Sequence, residues 1–208
     1  MTLSHPSRIT SILGTYHLST DLERSNGKNW YQQAHSATLD LSASHPIGVI
    51  KSAGVIAALS PNNKWARNLL DARSLIDAFF EYGPLVASKT VVCTFGANRQ
   101  KALTILKLNQ PTTTDIETIL NGLKVQAFYR CILGDSQTVC VDGHAYSIWA
   151  GEHITTNKTP KISPRLYAQI SADYTKASQL ISTVHAIIKP AELQAITWLA
   201  HKRLTNQR

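Results

Sequence analysis

Acidic residues are scarce in this chain: 13 Asp and Glu stand against 21 Lys and Arg, for a net charge of +8. That balance turns the protein away from cationic partners and toward polyanions, of which nucleic acid is the most common. Cysteine is rarer still. Cys93, Cys131 and Cys140 are odd in number and far apart, which excludes a disulfide framework and any zinc or iron–sulfur spacing. They read as small core residues in a reducing compartment. No run is apolar enough to span a bilayer, and the stretch from Met1 to His17 lacks the apolar segment of a signal peptide. A cytoplasmic protein is expected, nucleoid-associated or in the cytoplasm of a virus-infected host, without metal or cofactor. Strand signals are almost missing, since Val91-Val92-Cys93 and Val139-Cys140-Val141 are too short to count against an all-α fold. Internal repeats and low-complexity tracts are absent.

What is present is a core and a helical rhythm. Hydrophobic residues make up 43% of 208, enough for one large domain or two small lobes sharing a cleft. Ile47 to Leu59 is apolar apart from Lys51 and Ser52, as a buried helix is, and Ser60-Pro61-Asn62-Asn63 breaks it. Ala66, Leu69, Leu70, Ile76, Phe79 and Phe80 repeat at helical spacing up to a stop at Gly83-Pro84. Asn98 is placed to cap a helix carrying Ala102, Leu103, Ile105 and Leu106. Thr114-Asp115-Ile116-Glu117 has capping-box form and predicts a short helix to about Leu120, ended by Asn121-Gly122. Val125, Phe128, Tyr129 and Ile132 form the next apolar face, stopped by Gly134. Asp142 sits at an N-cap position ahead of Ala145, Ile148 and Trp149. A polar linker is expected from Thr155 to Lys161, and Ser163-Pro164 and Lys189-Pro190 mark the last two helix starts.

Lys124 and Asp142 stand at the starts of successive helices, and an antiparallel return through Gly134 would bring amine and carboxylate to one mouth. Cleavage of an N-glycosidic bond uses such a pair. The carboxylate stabilises positive charge growing at the sugar C1′, and an amine can attack that carbon and form a Schiff base. An attacking lysine must be neutral, which calls for partial desolvation or a neighbouring cation. A lysine and an aspartate at helix ends are also ordinary surface and capping residues.

Leu120-Asn121-Gly122-Leu123-Lys124-Val125, followed by Val141-Asp142-Gly143-His144, resembles the hairpin lysine and the Val-Asp-x-His signature of helix-hairpin-helix DNA glycosylases. Endonuclease III and the 8-oxoguanine glycosylases are the members in point. Ser60 to Arg67, Gly96 to Ala102 and Glu192 to Trp198 resemble further segments of those enzymes in the same order, so the likeness covers about residues 50 to 200. The usual hairpin, Leu-Pro-Gly-Val-Gly-x-Lys, keeps neither its Pro nor its second Gly here. A gapped alignment makes Lys124 the nucleophile, eighteen positions before Asp142, and is preferred; an ungapped one puts Gln126 there.

The resemblance implies a role for each matched residue. Asp142 assists bond breakage and Lys124 attacks, with β-elimination to follow. Asn62 and Asn63 enter the duplex where the base has left, Arg67 reads the opposite base or a phosphate, and His144 contacts a phosphate. Phe128, Gln194 and Trp198 line the base pocket. It implies two helical lobes around a cleft with a helix-hairpin-helix-like element: residues 44–144 as a central lobe, 1–43 and 145–208 as the second. The expected activity is base excision from double-stranded DNA by a monomer, with an oxidised purine favoured and a lyase step. A modified-nucleotide or hypermodified-base processing enzyme of phage type, a non-catalytic DNA-binding protein and an all-helical interaction module remain open beside it.

Overall fold

Helix follows helix throughout residues 8–155, 158–182 and 187–205, the part of the chain that this computed structural model describes. The described residues form ten α-helices and no strand: α1 (Arg8–His17), α2 (Asp21–Ala43), α3 (Gly48–Leu59), α4 (Trp65–Ala87), α5 (Gly96–Lys107), α6 (Thr113–Leu120), α7 (Leu123–Ile132), α8 (Gly143–Ala150), α9 (Pro164–Ile181) and α10 (Pro190–Leu204). The protein is all-α. The linker expected over 155–161 falls partly outside the described residues.

The chain divides into two compact units. The first joins Met1–Tyr31 to Asp135–Arg208, and the second is Gln32–Gly134. These limits differ from 44 and 144, for two local reasons. Helix α2 runs on to Ala43 and buries Ala34, Thr38 and Leu41 in the second unit, where His35 Nδ1 donates to the Ile132 carbonyl at 2.8 Å. At the other limit, Val139 and Val141 are buried in the core of the first unit, which takes Asp142 and His144 with them.

Helix α3 organises the second unit. Every residue from Ser52 to Leu59 is buried, and α4, α5, α6 and α7 all pack on it. A helix apolar all round has no other stable place. Gly54 permits the closest approach, because a Cβ there would stand 2.7 Å from Ile116 Cγ2. Lys51, the charge in this apolar run, sends Nζ to the Leu106 and Leu108 carbonyls at 2.7 and 2.9 Å and so satisfies the end of α5. Burial pushes its amine below the usual lysine range.

The stop expected at Gly83 is there: its φ of 83° and ψ of 171° break the helix, and a further turn runs from Pro84 to Ala87 within α4. Two local expectations are corrected. Phe95, not Asn98, is the N-cap of α5; Asn98 lies inside it and donates to Thr94 Oγ1. The capping box of α6 is Thr112 with Asp115, two residues earlier than read, because Glu117 is drawn into a bidentate pair with Arg130 at 2.6 Å.

In the first unit α10 packs against α1, α8 and α9, around Ile12, Ile148, Ile170, Tyr174, Leu193 and Ile196. Gly27 of α2 meets this core with no room to spare: a Cβ would lie 2.6 Å from the Ile196 backbone. Backbone cannot move aside as a side-chain tip can. Gly27→Ala is therefore expected to destabilise the protein by about 2 kcal/mol or more, despite the better helix propensity of Ala. Gly14→Ala, where nothing lies within 4 Å, is the matched control. Equal urea midpoints for the two variants would refute the close approach.

Candidate functional site

The segment entering α8 is pinned before it reaches Asp142. The Tyr167 hydroxyl accepts from Val141 N–H and donates to the Val139 carbonyl, both at 3.0 Å. Asp142 then takes an extended conformation, and its Oδ1 accepts the Ala145 N–H at 2.8 Å, an N-cap as expected. Capping uses one carboxylate oxygen, so Oδ2 is left clear of the cap. Asp142 is half-buried.

His144 follows in the first turn of α8. Its Nδ1 lies 3.1 Å from Nδ1 of His201, and His201 Nε2 lies 3.2 Å from Ser147 Oγ. Ser147 Oγ also bonds the Glu152 carbonyl and accepts from Ile154 N–H at 3.0 Å. His153 stands with its ring centroid 6.1 Å from that of His201. Burial above all, with the His144 and His153 rings adding to it and Asp142 opposing, pushes His201 down to about 4. In the unfolded chain a histidine titrates near 6.5. Below that pH the unfolded state takes up a proton that folded His201 refuses. Stability is whole above about pH 6.5 and is lost as pH falls toward 4, by about 3 kcal/mol from this one group. His201→Asn should flatten that part of the stability–pH curve measured by urea denaturation.

Gln194, Thr197 and His201 form a buried polar stripe along α10. Tyr31 donates its hydroxyl to Gln194 Oε1 at 2.9 Å, and Thr197 meets the Tyr174 hydroxyl at 3.4 Å. Burial raises the Tyr174 phenol well above its usual range, so it stays neutral. Trp198 is half-buried on the adjoining side, edge-on to Trp30 at 5.9 Å. Lys202 Nζ sits 4.6 Å over its ring, so one ring face already carries a cation. The two expected pocket residues of α10 thus differ: Gln194 is inside and held, while Trp198 is partly accessible.

The hairpin-like element belongs to the second unit. Asn121 (φ 46°) and Gly122 (φ 140°) are the whole turn between α6 and α7, and a φ of 140° suits glycine alone. Three side chains lock the pair: Lys101 Nζ donates to the Leu120 carbonyl at 2.6 Å, Gln126 Nε2 to the Glu117 carbonyl at 2.9 Å, and Arg130 to the Glu117 carboxylate. Lys124 lies exposed in the first turn of α7, so the desolvation expected of an attacking amine is not found. It also lies in the other unit from Asp142, whereas one lobe was expected to hold both. Phe128 is half-buried, edge-on to Trp65 at 6.3 Å.

The loop after α3 separates its two asparagines. Asn62 is exposed, with φ 58°. Asn63 is turned inward and donates to Asp71 Oδ2 at 2.9 Å, which removes it as a wedge. Arg67 pairs through Nε with Asp71 Oδ1 at 2.7 Å, its side chain still 52% exposed.

A family model matches residues 2–206, nearly the whole chain. The chain belongs to the DUF7178 family. That family is described as one of unknown function, so membership brings no activity with it. No curated protein and no solved structure matches the chain. Ser147, His153 and His201 of this DUF7178 member were not singled out from sequence. One signal was available: Gln194, Thr197 and His201 recur at helical spacing in a helix whose other positions include Leu193, Ile196 and Ala200.

Proposed function

We propose that this protein is a DNA glycosylase that flips a damaged or modified base, an oxidised purine favoured, out of duplex DNA and excises it. The observation that carries the reading is an order of elements. Two short helices joined by a two-residue turn are followed by a helix whose N-cap is a half-buried aspartate, with a histidine two residues on. The resembling glycosylases use these parts in this order. Asp142 supplies the negative charge that stabilises the oxocarbenium-like sugar, since its cap bond fixes the carboxylate without neutralising it. His144 and the basic surface hold backbone phosphates, and Trp198 offers the accessible part of its ring to the extruded base.

A second reading concerns the strand-cutting step. Lys124 is exposed, which favours a glycosylase that releases the base without Schiff-base chemistry. The test is incubation with duplexes bearing 8-oxoguanine, thymine glycol, uracil or an abasic site, with borohydride to trap an imine. A trapped complex that disappears in Lys124→Ala establishes the lyase step. Base release with no trapping assigns the simpler enzyme. No release from any of these duplexes would remove the glycosylase assignment.

A further inference from the structure

Within the second unit, α2 and α4 leave a groove between them, a hollow of about 410 Å³. Ala37, Asp40 and Leu41 stand on the α2 wall, and Ala66, Leu70 and Arg73 on the α4 wall. Each set recurs at three- and four-residue spacing, so each wall is one face of its helix. Apart from Asp40 and Arg73 the lining is apolar, whereas Gln32, Gln33 and Ser36 give the neighbouring exposed surface of α2 a polar character. A single exposed leucine is ordinary on a protein surface. Leu70, 61% exposed, stands instead as a knob beside a hole, because Ala37 and Ala66 have side chains short enough for another helix to come close.

The two charges narrow down the occupant. Asp40 and Arg73 lie on opposite walls and do not pair with each other. Arg73 Nη1 donates to Ser44 Oγ at 3.2 Å, and the Asp40 carboxylate meets no donor among the described residues. The groove is therefore neutral on a chain of net charge +8, and a polyanion drawn by Arg73 is repelled by Asp40. Only a surface that offers the same two charges in crossed order satisfies both walls. A second copy turned about a two-fold axis offers them so, since residue i then meets j and j meets i.

We propose that the α2–α4 groove is a self-association face, through which two copies of this chain pair about a two-fold axis. Leu70 of each copy seats in the partner's groove, and Asp40 of each faces the partner's Arg73. Two helices side by side over about two turns offer less than the about 800 Å² a side of a stable complex, so the pair is reversible and forms as concentration rises. The inference stands apart from the base-excision reading and replaces the monomer expected with it.

Sedimentation velocity of the full chain over a concentration series tests it. The mass is expected to rise from 22.9 kDa toward twice that value between micromolar and millimolar chain. Leu70→Asp removes the knob and sets a carboxylate in the partner's groove, and should weaken pairing at least about tenfold. Asp40→Arg and Arg73→Asp each bring like charges face to face and should each weaken it by about tenfold. Mixed in equal amounts, these two reversed chains complement each other across the axis and should pair with near-parental affinity. No effect inside one chain produces that recovery, and urea midpoints like the parent's exclude misfolding as the cause of the losses. A mass that stays at one chain up to about 1 mM overturns the inference. So does a dimer that Leu70→Asp leaves intact, or a mixture of the reversed chains that recovers no pairing.

Discussion

Asp142→Asn is expected to cut base excision by about 10²–10³-fold while leaving the fold intact. The asparagine keeps a carbonyl oxygen to accept the Ala145 N–H at the start of α8, so the cap survives. What it loses is the charge. A carboxylate is called on when positive charge grows on the sugar, so the loss falls on the chemical step and not on DNA binding. Single-turnover base release, beside urea unfolding and duplex affinity, separates these effects. A variant that unfolds like the parent, binds like it and does not react would assign Asp142 to the transition state. One that excises at the parental rate leaves Asp142 as a helix cap and nothing more.

The second large effect is on stability, at Asp71. Its side chain is 2% exposed and accepts three bonds: from Arg67 Nε and Cys93 N–H at 2.7 Å, and from Asn63 Nδ2 at 2.9 Å. Asp71→Ala strands all three donors, one of them a guanidinium, and is expected to cost about 3–5 kcal/mol. Asp71→Asn retains one acceptor oxygen and should cost less. Arg67→Ala, which removes only the half-exposed partner, should cost least. A loss under about 1 kcal/mol in Asp71→Ala would show that the donors find water instead. The same cluster anchors the loop that exposes Asn62, so Asp71 variants should also weaken any duplex contact made there.

Features set by neighbours in the chain were legible in advance. Ser163 caps α9 through its hydroxyl, Asp142 caps α8, and Pro190 opens α10, because caps and prolines act within one helical turn. The burial of α3 was equally plain, since an apolar helix has nowhere else to go. Helix α2 was not read, although Thr20 and Glu23 form a reciprocal cap that the sequence displays. Its buried positions include Gly27, Ala34 and Thr38, small residues that leave almost no hydrophobic period to detect. The capping box of α6 slipped by two residues because Thr112 and Thr114 both head an acceptable pattern, and Arg130 on the next helix decided between them.

The candidate site divides along the same line. Asp142 and His144 stand two residues apart in one short segment, and the two-residue turn at Asn121-Gly122 announces itself through its glycine. By itself, then, the sequence determined the all-α class, the starts of α8, α9 and α10, and the order of the hairpin-like and aspartate-bearing elements. Only the tertiary structure decided that Asn63 turns inward, that Lys124 is exposed, and that His201 is buried between His144 and Ser147. The reason is reach. A cap or a turn is settled by hydrogen bonds within four residues, whereas the partners that turn a polar side chain inward lie farther off, eight residues away for Asn63 and more than fifty for His201, and no local pattern encodes them.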